Sequence, residues 1–121
     1  MRQAVQHGTA QRFENNGRIT AELVGTDQSV TITNIGTDGF GIVSDRVLPA
    51  AERQLFWLTT SSRDRSLLFA VHTVSRGLEP HGHGPHAGKF PADYAFRNAG
   101  ILEVRRRIQD FIAEIVQPAV S

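Results

Sequence analysis

From Arg18 onward the apolar residues recur at every second position, and near the C-terminus at every third or fourth. Ile19, Ala21 and Leu23 alternate with Thr20 and Glu22, and Val30 and Ile32 alternate with Thr31 and Thr33. Period two is the signature of a half-buried strand. Gly25-Thr-Asp-Gln28 separates these two strands as a turn. Asn34 to Asp38 turns the chain again, and Phe40 to Val43 forms a third strand. After the loop marked by Pro49, Gln54 to Thr59 reads as a fourth strand, apolar on both faces at its centre. Phe56 and Trp57 are adjacent there, so they point to opposite faces: one enters the core and the other covers the helix or marks an interface. A polar hairpin loop over 61–65 leads to a fifth strand from Leu67 to Val74, and Tyr94 to Phe96 forms a short sixth. Six short strands punctuated by turns predict an all-β fold, a six-stranded barrel closed or nearly closed on itself. Closure removes the exposed strand edges that a chain of this size would otherwise carry.

The last element has another period. Ile101, Val104, Ile108, Phe111, Ile112 and Ile115 fall at three- and four-residue steps, which places them on one face of a C-terminal α-helix. Asn98 is placed to cap its first turn and Pro118 to end it. Arg105, Arg106 and Arg107 lie largely off the apolar face and read as a solvated surface. The stripe is too wide for solvent, so the helix is expected to dock on the barrel or on a second subunit, giving a homo-oligomer through this helix. Residues 1–17 are polar and without a period; they are expected to form an N-terminal tail or switch segment, with the barrel and helix spanning 18–121.

Composition narrows the function classes. At 121 residues the chain is one domain. Thirteen Lys and Arg against twelve Asp and Glu give a formal net charge of +1, too balanced for bulk binding to DNA or RNA. Lys89 is the only lysine, and arginine suits planar, bidentate contacts with phosphates and guanine edges. The absence of cysteine excludes disulfides, thiolate metal sites and cysteine nucleophiles. No apolar run approaches the ~20 residues of a membrane span, and the N-terminus lacks a signal-peptide core, so a cytoplasmic location is expected. Neither a Gly-x-Ser-x-Gly elbow nor a phosphate-binding Gly-x-x-x-x-Gly-Lys loop occurs, and no residue set argues for an enzyme. The glycine- and proline-rich segment between Arg76 and Pro91 reads as a long mobile loop. It carries His81, His83 and His86, whose neutral imidazoles could bind zinc, copper or nickel. Ordering such a loop around an ion costs conformational entropy, so no physiological metal site is expected.

Asn34, Gly36 and Gly39 stand at the spacing Asn-x-Gly-x-x-Gly between two strands. This resembles the (Asp/Asn)-x-Ser-x-x-Gly signature of PilZ domains, small bacterial barrels many of which bind the second messenger cyclic di-GMP. The order of elements from about Arg18 to Val116 is similar to that family, and so are Leu48-Pro49, the strand His72 to Arg76, and Tyr94 to Phe96 leading into the helix. The resemblance implies a non-catalytic signalling module of a bacterium with cyclic di-GMP as ligand and no cofactor. Arg12 and Arg18 would grip phosphates or guanines, while Asn34, Gly36 and Gly39 would line the turn. Gly39 would supply a backbone able to take positive φ and approach a flat ligand. Two departures stand out. Gly36 replaces the usual serine. The family's Arg-x-x-x-Arg motif is half present: Arg12 matches its second arginine, Gly8 occupies the first position, and Arg12 to Arg18 is a six-residue step. The alternative reading is a degenerate PilZ-like domain that binds no nucleotide and acts through protein–protein contacts.

Overall fold

Alternation along the chain becomes a barrel wall whose inner positions are the apolar ones. The computed structural model describes residues 11–15, 17–26, 28–60 and 66–116. Seven strands precede one helix: β1 (Arg12–Glu14), β2 (Ile19–Leu23), β3 (Ser29–Gly36), β4 (Gly39–Ser44), β5 (Gln54–Thr60), β6 (Ser66–Arg76), β7 (Phe90–Phe96) and α1 (Leu102–Val116). All pairings are antiparallel, in the order β1-β3-β2-β5-β6-β7-β4, and β3 also pairs with β4. The last pairing closes a six-stranded barrel from β2 to β7, as the sequence predicts, with β1 added outside the ring.

The inner face carries Ile19, Ala21, Val30, Ile32, Phe56, Leu58 and Val71, all buried. Rings fill the centre. Phe40 packs edge-on to Phe56 at 5.4 Å between centroids, and Phe56 meets Tyr94 at 5.0 Å. The stack continues from Phe96 to Phe69 at 5.2 Å and from Phe69 to Phe111 of α1 at 5.5 Å. Aromatic edge-to-face contacts of this kind add about 0.5–1.5 kcal/mol each beyond the area they bury. They tie the helix to the barrel, where Ile108, Phe111 and Ile112 are buried. Ile101 is exposed, so the docked face is narrower than the sequence pattern suggested.

Several boundaries differ from expectation, each for a local reason. β1 begins ahead of Arg18, inside the segment expected to be a tail. Its three residues lie along the second half of β3, in register Arg12↔Gly36, Phe13↔Ile35 and Glu14↔Asn34. β2 lies along the first half of the same edge, with Ala21 opposite Val30. Buried Asn15 joins the two. Its side-chain nitrogen donates to the carbonyls of Ile19 (2.8 Å) and Ile32 (3.1 Å), and its Oδ1 accepts from the Ile19 amide (2.9 Å). Gly17, at φ 77°, makes the tight corner that this network needs. The Asn34-to-Asp38 segment is mostly strand: Asn34 and Gly36 belong to β3, and the turn is confined to Thr37-Asp38. β7 begins four residues before Tyr94, with Pro91 near its start. Asn98 does not cap α1. It adopts a left-handed conformation (φ 62°) and its carbonyl accepts from Ile101 in the turn that precedes the helix. Pro118 and Gly8 lie outside the described residues.

Candidate functional site

Period two places Arg12 of β1, Asn34 and Gly36 of β3, Gly39 and Gly41 of β4, and Asp93 of β7 on the outer face of one side of the barrel. Their neighbours Phe13, Ile35, Phe40 and Tyr94 point inward. The β1–β3 pairing sets Arg12 opposite Gly36, and the hairpin turn brings Asp38 alongside. The β4–β7 pairing sets Asp93 opposite Gly41, which is itself opposite Asn34.

Arg12 is the centre of this face. Its Nε donates to Asp38 Oδ1 at 2.9 Å, and Nη2 donates to Asp38 Oδ2 at 3.4 Å and Asp93 Oδ2 at 3.3 Å. Nη1 donates to Asn34 Oδ1 at 2.6 Å and Asp93 Oδ1 at 3.0 Å. A guanidinium has five N–H groups, and all five are used. Asn34 is oriented in turn by its Nδ2, which donates to Thr33 Oγ1 at 3.0 Å. The Arg12 side chain is 18% exposed, against 38% for Asp38 and 33% for Asp93. Burial works against the Arg12 charge, but hydrogen bonds and attraction from Asp93 and Asp38 outweigh it and raise its pKa above the ordinary value. One cation against two carboxylates leaves the cluster net negative.

The glycines serve this packing. A Cβ at Gly36 would run into the backbone oxygen of Gln11 and lie 3.0 Å from Arg12 Cδ. The serine of the PilZ signature therefore has no room here: Gly36 admits β1 and the stem of Arg12. A Cβ at Gly39 would strike the carbonyl oxygen of Tyr94. Gly39 is not in the positive-φ region, contrary to the role expected for it; close approach of β4 to β7 is what requires glycine there.

Beside the cluster lies a cleft of about 410 Å³, lined by Asn34, Asp93, Thr33, Ser75, His81 and His86 among others. The histidine segment closes on itself: the His81 amide donates to the Lys89 carbonyl (2.9 Å) and the Gly88 amide to the His81 carbonyl (2.9 Å). The rings of His81 and His86 are 6.5 Å apart. Among the described residues no group of three His, Asp or Glu side chains is placed to hold one ion, and His83 is exposed away from the cleft lining.

Of the five residues picked from the sequence, Arg12, Asn34, Gly36 and Gly39 come together. Arg18 is set apart from them. It precedes β2 just beyond the Asn15 corner, where its amide donates to the Asn15 carbonyl at 3.1 Å. It is not a partner of Arg12 and does not line the cleft. Asp38, Asp93 and Asn15 were missed by sequence reasoning. The Asn15-Asn16-Gly17 run was a readable turn signal; Asp93 lies 81 residues from Arg12 and no local pattern joins them.

No family model and no curated protein matches this chain. Among solved structures it is similar to the "PilZ domain with c-di-GMP of YcgR from Escherichia coli", at TM-score 0.69 and 12% identity over 91% of this chain and 92% of that one. It is also similar, at TM-score 0.51 and 16% identity, to an uncharacterised protein of Legionella, over 82% of this chain and 94% of that one. At such identities the likeness is one of fold, and the fold of this chain is a PilZ-like β-barrel with a C-terminal helix.

Proposed function

We propose that the chain is a non-catalytic, PilZ-like signalling module of the bacterial cytoplasm that has given up tight nucleotide binding and acts through protein–protein contacts. One observation carries this reading: every N–H of Arg12 is committed to Asn34, Asp38 or Asp93. Cyclic di-GMP brings two phosphates. To reach Arg12 they must displace two carboxylates that already hold it, on a face where the carboxylates outnumber the cation. A bond to a charged group is worth about 1.5–3 kcal/mol, and the ligand would have to replace several such bonds. With Gly8 at the first position of the arginine motif, no second guanidinium of that motif offsets the exchange.

The second reading, a working cyclic di-GMP receptor, draws support from the fold shared with the YcgR domain and from Arg12 and Asn34 standing together beside a cleft. Calorimetric titration with cyclic di-GMP separates the two. The first reading expects no saturable heat up to about 100 μM ligand. A low-micromolar, one-site isotherm that disappears in Asn34→Ala, with the thermal melt unchanged, would replace it with the second.

A further inference from the structure

On the side of the barrel formed by β2, β5 and β6, the outward positions are not uniformly polar. Thr20, Glu22, Thr59 and Ser66 follow the expected pattern, but Leu55, Trp57 and Leu68 do not. Trp57 pairs directly with Leu68, and Leu55 with Ala70, so these side chains form one surface. Trp57 is 42% exposed. Next to it runs a groove of about 780 Å³ lined by Val24, Leu55, Ala70, Arg53, Arg97 and Asn98 with a few neighbours. Arg97 is fixed at its rim by the bond from Nη1 to the Glu52 carbonyl, 2.8 Å. No carboxylate among the described residues pairs with Arg53 or Arg97. The groove therefore combines an apolar wall of Val24, Leu55 and Ala70 with a polar rim whose arginines have no carboxylate partner among the described residues.

The same corner carries the opposite chemistry on a projection. Asn98, in its left-handed conformation, reverses the chain, and its carbonyl takes the Ile101 amide at 3.0 Å. Ile101 and Leu102 emerge from this turn largely exposed, Leu102 at 63%. Glu103 follows as the acidic residue of the first turn of α1. An apolar shoulder with a carboxylate thus stands beside a groove that pairs an apolar wall with arginines, and both are open to solvent among the described residues.

We propose that this corner is a self-association surface. The Ile101–Leu102 shoulder of each copy seats in the Val24–Leu55–Ala70 groove of a second copy, and Glu103 meets Arg53 across the contact. A two-fold axis through the corner satisfies both halves at once, because an isologous contact presents each feature to its complement twice. The occupant is a second copy because this chain itself displays both the groove and what fits it. An anionic bilayer fits less well: the groove is concave, and Glu22 stands opposite Trp57 on the adjoining strand. The surface is separate from the Arg12 face, so the cyclic di-GMP titration and the test below can fail independently.

Light scattering coupled to size exclusion, run from about 5 to about 500 μM protein, reads the association. The mass rises from the monomer value of 13.3 kDa toward twice that figure. Leu102→Asp weakens the dimer at least about tenfold while the thermal melt stays in place, since the side chain touches no core. Arg53→Glu weakens it too, and Arg53→Glu combined with Glu103→Arg restores most of the loss. A mass that stays at the monomer value throughout overturns the proposal. So does a dimer that Leu102→Asp leaves intact, or a charge swap that fails to rescue.

Discussion

The two outer sides of the barrel are built on opposite terms. Around Arg12 the side chains of Arg12, Asn34, Asp38 and Asp93 are all partnered, Gly36 and Gly39 leave no room for a Cβ, and β4 is buried on both faces. Around Leu55 and Trp57 the side chains are apolar and half-exposed, and the nearby arginines lack carboxylates. The residues that most resemble a ligand site are thus the ones most fully used in holding the molecule together. The side without any recognisable motif is the one with unspent contact chemistry. A motif names the fold here because the fold needs the same corner, whatever the corner binds.

The contrast is sharpest at Gly39. A methyl group there meets the Tyr94 carbonyl, a backbone atom that cannot move without breaking the β4–β7 ladder. Gly39→Ala should cost roughly 3 kcal/mol or prevent folding, as overpacking at a backbone contact does; urea denaturation measures it. A substitution with little effect would mean that the β4–β7 approach is looser than described.

Arg12→Met comes next. It removes the cation and leaves Asp38 and Asp93 facing each other, each about a third exposed. Solvent screening reduces the penalty, so the expected loss is about 1–3 kcal/mol. Arg12→Met with Asp93→Asn should recover part of it, because one of the two carboxylates is then neutral. A purely ligand-gripping Arg12 would instead leave stability unchanged or improved when removed. Gly36→Ser, which restores the letter of the PilZ signature, should destabilise by about 1–2 kcal/mol by pushing β1 off β3. Hydrogen exchange should show the loss centred on Phe13 and Ile35.

The smallest expected effect has the opposite sign. The Tyr94 hydroxyl is buried with no hydrogen-bond partner among the described residues, and burial pushes its pKa up to about 12, a nearby Arg76 charge opposing it slightly. The unfolded chain ionises this group near 10, while the folded chain keeps the proton until about pH 12. Between those values the unfolded state binds fewer protons, so stability falls as pH rises through that window and is complete below it. Tyr94→Phe should remove this alkaline loss and raise stability near neutral pH by about 1 kcal/mol, since it deletes an unsatisfied polar group. Unfolding curves at pH 7 and pH 11 check both statements.

The succession of the six barrel strands along the chain and the buried helix face were legible because each rests on a repeat: period two in Ile19 to Leu23, and three- and four-residue steps through Ile108, Phe111 and Ile112. β1 was not legible. Three residues with one apolar member, Phe13, give no period, and the strand exists because β3 offers an edge that β2 leaves uncovered. Asn34 and Gly36 read as a turn because asparagine and glycine are turn residues in isolation; in the barrel, glycine is present for close approach instead. The cluster itself was half legible. Arg12 and Asn34 could be named from a pattern, but Asp38 and Asp93 decide what Arg12 does, and they meet it only through the β3 hairpin and the β4–β7 register. Ile101 was read as part of the docked stripe; the turn at Asn98 puts it outside, exposed ahead of the helix.

Above all, Arg12 belongs to Asp38 and Asp93. Its Nε–H can be followed directly by 15N-resolved NMR in the absence and presence of cyclic di-GMP. One exchange-protected Nε–H signal is expected, displaced by Asp38→Asn and unmoved by excess ligand. A signal that exchanges freely with water in the unliganded protein, or that shifts saturably as cyclic di-GMP is added, would contradict it.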